Sequence, residues 1–344
     1  MFCLLLKSEK ILSRSSVGNA NRNLRQHSQD AKVIIFVILQ ANFFEMIEFK
    51  SVGVGDRKIF EQFYPYRYHR NAESSFGNLC AYSFLYSGEY AIVDNCLVTR
   101  VHYPTPKEVS YHYPFGFGDC ERVLDLLIED ARENNLPMSM VCRKEDLTQR
   151  HRELFEFEAK RDFFDYLYLR EDLQYLKGRK YQAKRNHINK FSSLYDWTFS
   201  PLRSEDMEEC MCLEELWLQD AVLKNPNAET DYQNEKRIIR FLIENMEDLG
   251  VVAVAVRVEG KIVAFSLGSS INNDTFDVHI EKADRNFEGA FAIINQQMAE
   301  HLPQNFKYIN REEDLGLEGL RKAKLSYHPY MLIEKDIATL CPNR

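Results

Sequence analysis

The sequence predicts an α+β fold arranged as a tandem of two like units, each a mixed, mostly antiparallel sheet flanked by helices. Three observations carry that expectation. The 344 residues suit two domains of ordinary size. From Asp277 to Lys324 the pattern reads strand, loop, helix, strand, acidic loop, helix. A strand, a glycine loop, a helix and a strand also follow one another between Val109 and Val141, with no usable identity to the later copy.

Composition narrows the classes of function. Apolar residues at 45% and charged residues at 28% are those of a globular chain with ample core. A net charge of −8 excludes a surface that binds nucleic acid everywhere and leaves room for a local basic patch. The eight cysteines form no Cys-x-x-Cys pair and no Cys/His cluster. They read as reduced thiols of a cytoplasmic protein, and no metal is expected.

In chain order, residues 1–45 read as a disordered leader or a mis-called start, with translation opening at Met46. Their apolar run, Lys32 to Leu39, is too short to span a bilayer and lacks a signal-peptide cleavage site, so no transmembrane segment is expected. The first unit is placed at residues 46–170. A helix is expected around Phe60, Phe63 and Tyr64, and a hairpin is expected to join Asn78–Tyr86 to Glu89–Val93 across Ser87-Gly88. Cys96–His102 and Val109–Tyr113 continue the sheet. The loop Pro114-x-Gly116-x-Gly118-Asp119 then opens a helix that Asp119 can cap, and it offers a conceivable phosphate site without a cation of its own. Leu136–Val141 is a strand, and Phe163–Leu169 reads as the unit's terminal strand.

The second unit is placed at residues 171–340. It begins with six Lys/Arg between 177 and 190. As a helix from about Arg179, this stretch carries Tyr181, Ile188 and Phe191 on an apolar stripe. Lys180, Lys184 and His187 lie on a neighbouring face, and Lys180, Lys184 and Arg185 are the candidate nucleic-acid contacts. A strand at Trp197–Phe199, helices opening at Ser204 and near Tyr232, and a hairpin across Glu259-Gly260 follow. The strand Asp277–Lys282 then feeds the loop Arg285–Ala290 ahead of a helix. Free amides at a helix start hold anions, so Arg285, Gly289 and Ala290 are candidate cofactor contacts, with plain turn geometry as the alternative.

Two stretches bear a family resemblance. They are Leu176-Lys177-Gly178-x-Lys180-x-x-x-Lys184-Arg185-x-x-Ile188-x-Lys190-Phe191 and Asn310-x-Glu312-x-Asp314-x-Gly316-x-x-Gly319-Leu320-Arg321-x-x-Lys324-x-Ser326-x-x-Pro329. Over residues 47–340 the chain resembles the C-terminal catalytic domain of phosphatidylglycerol lysyltransferases, including soluble DUF2156-type proteins. That resemblance implies tandem GNAT-like (acyl-CoA N-acyltransferase-like) domains related to the Fem-type peptidyltransferases. It implies transfer of an aminoacyl group from tRNA to a small-molecule, peptide or lipid-headgroup acceptor. Acyl-CoA is the alternative donor, because Arg285 to Ala290 is similar to the GNAT phosphate loop with Arg285 one residue too far from Gly289. A non-catalytic binding protein on a degenerate GNAT scaffold is the third reading.

Site roles follow from the resemblance. Asp314 is the candidate for acceptor binding or general base, or else a charge at a helix start. Asn310 is placed at the acceptor or amide, or else merely ends its strand. Lys324 is the candidate for the oxyanion or the tRNA phosphates, or else a cation near a helix end. Arg321 widens that positive site. His279 and Glu281, on the solvent side of their strand, are second-rank substrate contacts. No Ser/Cys–His arrangement suggests an acyl-enzyme, so direct transfer is expected.

Overall fold

The computed structural model describes residues 47–103, 109–224 and 229–342, so the expectation for residues 1–45 lies outside the described residues. Two sheets, of eight and seven strands, organise what is described. In the first, β1 (Lys50–Ser51), β2 (Ser87–Val93), β3 (Cys96–His102) and β4 (Val109–His112) lie side by side in chain order. β5 (Phe115–Gly116) pairs with β3, β6 (Met138–Cys142) runs parallel to β4, and β7 (Phe155–Ala159) is the far edge. In the second, β8 (Asp165–Leu169), β9 (Trp197–Pro201), β10 (Val252–Val258), β11 (Lys261–Ser270), β12 (Thr275–Ala283), β13 (Tyr308–Asn310) and β14 (Met331–Ile333) take the order β14-β8-β13-β12-β11-β10-β9. β12 and β13 run parallel and the other neighbours antiparallel. Both sheets are therefore mixed and mostly antiparallel, with helices against them: an α+β, tandem GNAT-like architecture.

The two sheets exchange strands. β8, expected to end the first sheet, sits between β13 and β14 of the second. β15 (Asp336–Leu340), the last strand described, returns to the first sheet and pairs with both β6 and β7. A cut at residue 170 would strip each sheet of one strand. The core follows the same logic. Phe60, Phe76 and Leu97 pack in one cluster with Ile239, Leu242, Phe265 and Leu267 from beyond that cut. A second cluster joins Tyr168, Phe191, Val256, Ile294 and Met298 under the second sheet. Each large apolar side chain buried in this way stabilises the fold by about 1.5–3 kcal/mol.

Two local expectations are corrected. Residues 76–81 form a helix rather than a hairpin arm. Ser75 caps it, its hydroxyl accepting from the Asn78 amide, and Phe76, Leu79 and Cys80 are buried along it. The β2 hairpin instead joins β3 across Asp94-Asn95, both at positive φ (45° and 61°), the conformation a tight two-residue hairpin turn needs. The loop at Gly116 and Gly118 has no room for a phosphate. Ideal Cβ atoms there would lie 2.2 Å from the Asn95 carbonyl oxygen and 1.7 Å from that of Asp94, so these glycines let the hairpin turn pack onto the loop.

Candidate active site

The loop after β13 carries the acidic motif, and left-handed dihedrals shape it. Glu312, Leu315 and Gly316 all have positive φ, so their neighbours must over-determine the loop. Asn310 is fully buried and pins the loop's start. Its amide donates to Arg70 O (2.7 Å) and Asp165 Oδ2 (2.9 Å), and its carbonyl accepts from the Glu312 N–H at 2.7 Å. Lys324 sits beneath, its Nζ donating to Arg311 O at 2.5 Å and to the Glu313 carbonyl. Burial, then the Arg311 charge, lowers its pKa.

Asp314 closes the loop. Arg321 donates to both its oxygens (2.8 and 2.7 Å), the Tyr166 hydroxyl donates at 2.5 Å, Arg161 at 3.2 Å and the Gly316 amide at 2.9 Å. Those bonds, Arg321's first, hold its carboxyl well below the usual range, and the residue has no exposed surface. A carboxylate so engaged is a poor proton acceptor, so the general-base role expected of Asp314 does not suit its geometry. Arg321, also bonded to Asp162, is spent on the same lock.

The carboxylate that remains available is Glu312. Its Oε1 accepts from Asn78 Nδ2 at 3.1 Å and lies 3.4 Å from His279 Nδ1. His279 Nδ1 also faces Asp277 Oδ2 at 3.4 Å, and its Nε2 meets Ser269 Oγ at 2.8 Å. His279 was expected on the solvent side of its strand. Its side chain is only 2% exposed, because the helix Phe76–Ala81 from the other half of the chain lies over it. Asp277 is fully buried, and burial followed by Glu312 pushes its carboxyl well up. Glu73, Asp165 and Glu313 form a second acidic trio around Lys335, whose Nζ lies 2.6 Å from Asp165 Oδ1 and against Glu73. Burial raises Asp165, and it lifts Glu313 to about 8. A cavity of about 120 Å³ opens beside these groups, lined by Glu73, Asn78, Glu312 and Glu313 and by the rings of Tyr82 and Tyr86. Asp277, His279 and Glu312 each offer a ligand atom within 4.8 Å of the other two, a donor set of the kind a divalent cation takes.

Glu281, two residues along β12 from His279, belongs to a cationic neighbourhood. It accepts from Arg311 (2.8 Å) and Asn295 (3.1 Å). Lys184 comes from the basic helix, Gln182–Leu194, to donate to Ser326 Oγ at 2.7 Å and lie 3.7 Å from the Tyr327 ring. Burial and then Arg311 pull its pKa down to about 8. Lys180 stays at the surface with Asp172, while Arg185 braces the carbonyls of Leu176 and Gly178.

The helix start at Gly289 is where the basic helix packs. Gly289 has φ +95°, and a Cβ there would stand 2.4 Å from the His187 carbonyl oxygen and 3.0 Å from Phe191 Cβ. The Ala290 amide already donates to Phe287 O at 3.0 Å, and Arg285 stacks on Trp217. The expected phosphate cradle is thus covered by protein. Sequence reasoning missed Glu73, Asn78, Asp277 and Lys335. At Asp277 the local signal is a charge between the apolar Phe276 and Val278, whereas Lys335, between Glu334 and Asp336, carries no such signal.

Residues 66–338 match the family described as "Phosphatidylglycerol lysyltransferase, C-terminal". The chain belongs to this family. Membership supports an aminoacyltransferase-type function for this lysyltransferase-family chain. A conserved protein of unknown function from Bacteroides thetaiotaomicron VPI-5482 is 42% identical, with a TM-score of 0.79 over 86% of this chain and 100% of that one. L-PGS from Bacillus licheniformis (17% identical, TM-score 0.55, covering 79% and 90%) and FemX (10% identical, TM-score 0.51, covering 86% and 98%) share the fold. An uncharacterised protein of Mycoplasmoides gallisepticum is 25% identical over 173 residues, 50% of this chain and 54% of its own, so the match spans about half the length of that curated relative. No helix of the described residues in this family member is long and apolar enough to cross a membrane.

Proposed function

We propose that the protein transfers an aminoacyl group from aminoacyl-tRNA to an amine or hydroxyl acceptor, with the chemistry beside Glu312. The observation that carries this reading is Glu312, which lines a small cavity walled by carboxylates and tyrosines and is backed by His279 and, behind it, Asp277. Such a wall suits the amino group of an aminoacyl ester, since carboxylates and ring faces both attract an ammonium. Glu312 takes the acceptor's proton as its nitrogen or oxygen attacks the ester carbonyl. The bond from that carbonyl to the ribose oxygen then breaks, and the proton passes to the ribose. His279 and Asn78 position Glu312, while Lys324 and Asn310 position the loop that bears it. Lys180, exposed on the turn Arg179–Tyr181 just ahead of the basic helix, meets the tRNA backbone together with that helix's exposed side.

The acyl-CoA reading has less support, because the amides that would hold a pyrophosphate are packed against the backbone of the basic helix. Release of labelled amino acid from a set of aminoacyl-tRNAs into a cell extract's acceptors tests the proposal. Glu312→Gln should lower kcat by about 10²-fold or more with the fold intact. Lys180→Ala should weaken tRNA binding and flatten its salt dependence by about one charge. An unchanged rate in Glu312→Gln, or saturable binding of acetyl-CoA but of no aminoacyl-tRNA, would overturn it.

A further inference from the structure

The acidic residues around the candidate site differ in what neutralises them. Asp314 has Arg161 and Arg321, Glu281 has Arg311, and Glu73 and Asp165 close on the ammonium of Lys335. Asp277 and Glu312 form no ion pair with a lysine or arginine among the described residues. Each meets instead the imidazole of His279, whose Nδ1 lies 3.4 Å from Asp277 Oδ2 and 3.4 Å from Glu312 Oε1. Asp277 has no exposed surface, and while its Oδ2 is turned to the imidazole, its Oδ1 has no hydrogen-bond partner among the described residues. Carboxylates brought together out of water repel one another, and a cation between them removes that cost. The spacing admits one. The ligand atoms of the three residues all lie within 4.8 Å of one another. A single point can stand about 2.0–2.4 Å from all three, the range of bonds from Zn²⁺ at the short end to Ca²⁺ at the long one.

We propose that Asp277, His279 and Glu312 bind one divalent transition-metal ion, through a carboxylate oxygen of each acid and the imidazole Nδ1. One nitrogen and two carboxylate oxygens suit Mn²⁺ or Zn²⁺ better than Mg²⁺ or Ca²⁺, which take oxygen. The imidazole is held for this. Its Nε2 lies 2.8 Å from Ser269 Oγ, and with Nε2–H donating to that hydroxyl the Nδ1 lone pair is directed at the two carboxylates. Gly77, in the helix Phe76–Ala81, packs over the ring so closely that a Cβ there would stand 2.8 Å from Nε2. The Asn78 amide donates to Asp277 Oδ2 at 3.3 Å and to Glu312 Oε1 at 3.1 Å, steadying both ligands from outside. Glu312 and Asn78 line the acidic cavity, so the ion lies at its inner wall, and three protein ligands leave it a further position. An ion on Oε1 leaves Oε2 of Glu312 for a proton. The site rests on its own residues and stands whether or not Glu312 acts as the base of the transfer.

The full chain, stripped with a chelator and dialysed, is titrated calorimetrically with MnCl₂ and with ZnCl₂, and with MgCl₂ for comparison. One ion per chain is expected, with Kd of about 10 μM or tighter for Mn²⁺ or Zn²⁺ and weaker for Mg²⁺. Ser269→Ala, which loosens the imidazole without touching the ion, should weaken binding about tenfold or more. Asp277→Asn, which keeps the side chain's shape and removes a charged ligand, should weaken it further, about 100-fold, with circular dichroism reporting that both variants fold. Pulsed electron paramagnetic resonance of the Mn²⁺-loaded parent should show coupling to a ligand nitrogen, a reading that needs no variant. All of this is measured without tRNA, so the ion site holds or fails separately from the transfer reaction. The absence of a stoichiometric ion, the absence of nitrogen coupling, or an affinity untouched by both substitutions overturns the proposal.

Discussion

Within one loop, neighbouring acidic side chains have opposite fates. Asp314 is locked by two arginines, a tyrosine and a backbone amide, whereas Glu312 is left with an amide and an imidazole. The two arginines keep about a third of their side chains exposed, so water takes up their charge when the carboxylate is lost, and Asp314→Asn should cost about 1–3 kcal/mol in denaturant unfolding through the buried hydrogen bonds it no longer accepts. Because the folded-state pKa of Asp314 is depressed, its contribution is complete above the unfolded value near 4 and fades as pH falls through the folded one. Glu313 behaves in the opposite sense. Burial lifts it to about 8, with Lys335 opposing, so the stability present below its unfolded pKa is lost as pH rises toward about 8. Glu214, lifted to about 8 by burial despite Lys282, adds the same slope. Melting temperatures recorded from about pH 5 to 9 should fall in the parent and flatten in the Glu214→Gln/Glu313→Gln double variant. Superimposable profiles would refute this assignment.

Among the elements, the basic helix Gln182–Leu194 is the one whose role changed most between sequence and structure. Its density of Lys and Arg was legible, as were the strand, helix, strand and helix that follow Asp277, because periodicity is a local signal. That it covers the start of the helix Ala290–His301 was not legible, since no spacing within either segment records their contact. The same holds for His279, whose strand alternation was read correctly and whose cover comes from a helix some 200 residues away in the chain, Phe76–Ala81. Arg67 and Lys335 are charged residues that the structure buries, and nothing in the spacing around either marks that burial. The packing at Gly289 is testable. Gly289→Ala combines a left-handed φ with a 2.4 Å approach to the His187 carbonyl oxygen and should destabilise the protein by about 1–3 kcal/mol. A melting temperature equal to the parent's would mean the two helices are free to part.

For the molecule as a whole, β8 and β15 make the two halves interdependent. The resemblance between halves suggested two units with a boundary near residue 170, and the pairing of β8 with β13 and β14 was invisible because non-local strand pairing leaves no mark in the sequence of the strand. Residues 48–170 expressed alone lose β15 from between β6 and β7, so they should fail to give a dispersed amide spectrum. Urea unfolding of the full chain should be one cooperative transition, with fluorescence and circular dichroism coincident. Two separated transitions would establish independent halves.

The position of β15 also orders events at the ribosome. Facing edges of β6 and β7 wait, unpaired, while nearly two hundred further residues are synthesised, and neither can be satisfied until Asp336–Leu340 has left the exit tunnel. A nascent chain in that condition offers two sticky borders to any passing strand, which makes slow synthesis of the intervening residues a hazard and chaperone attendance an advantage.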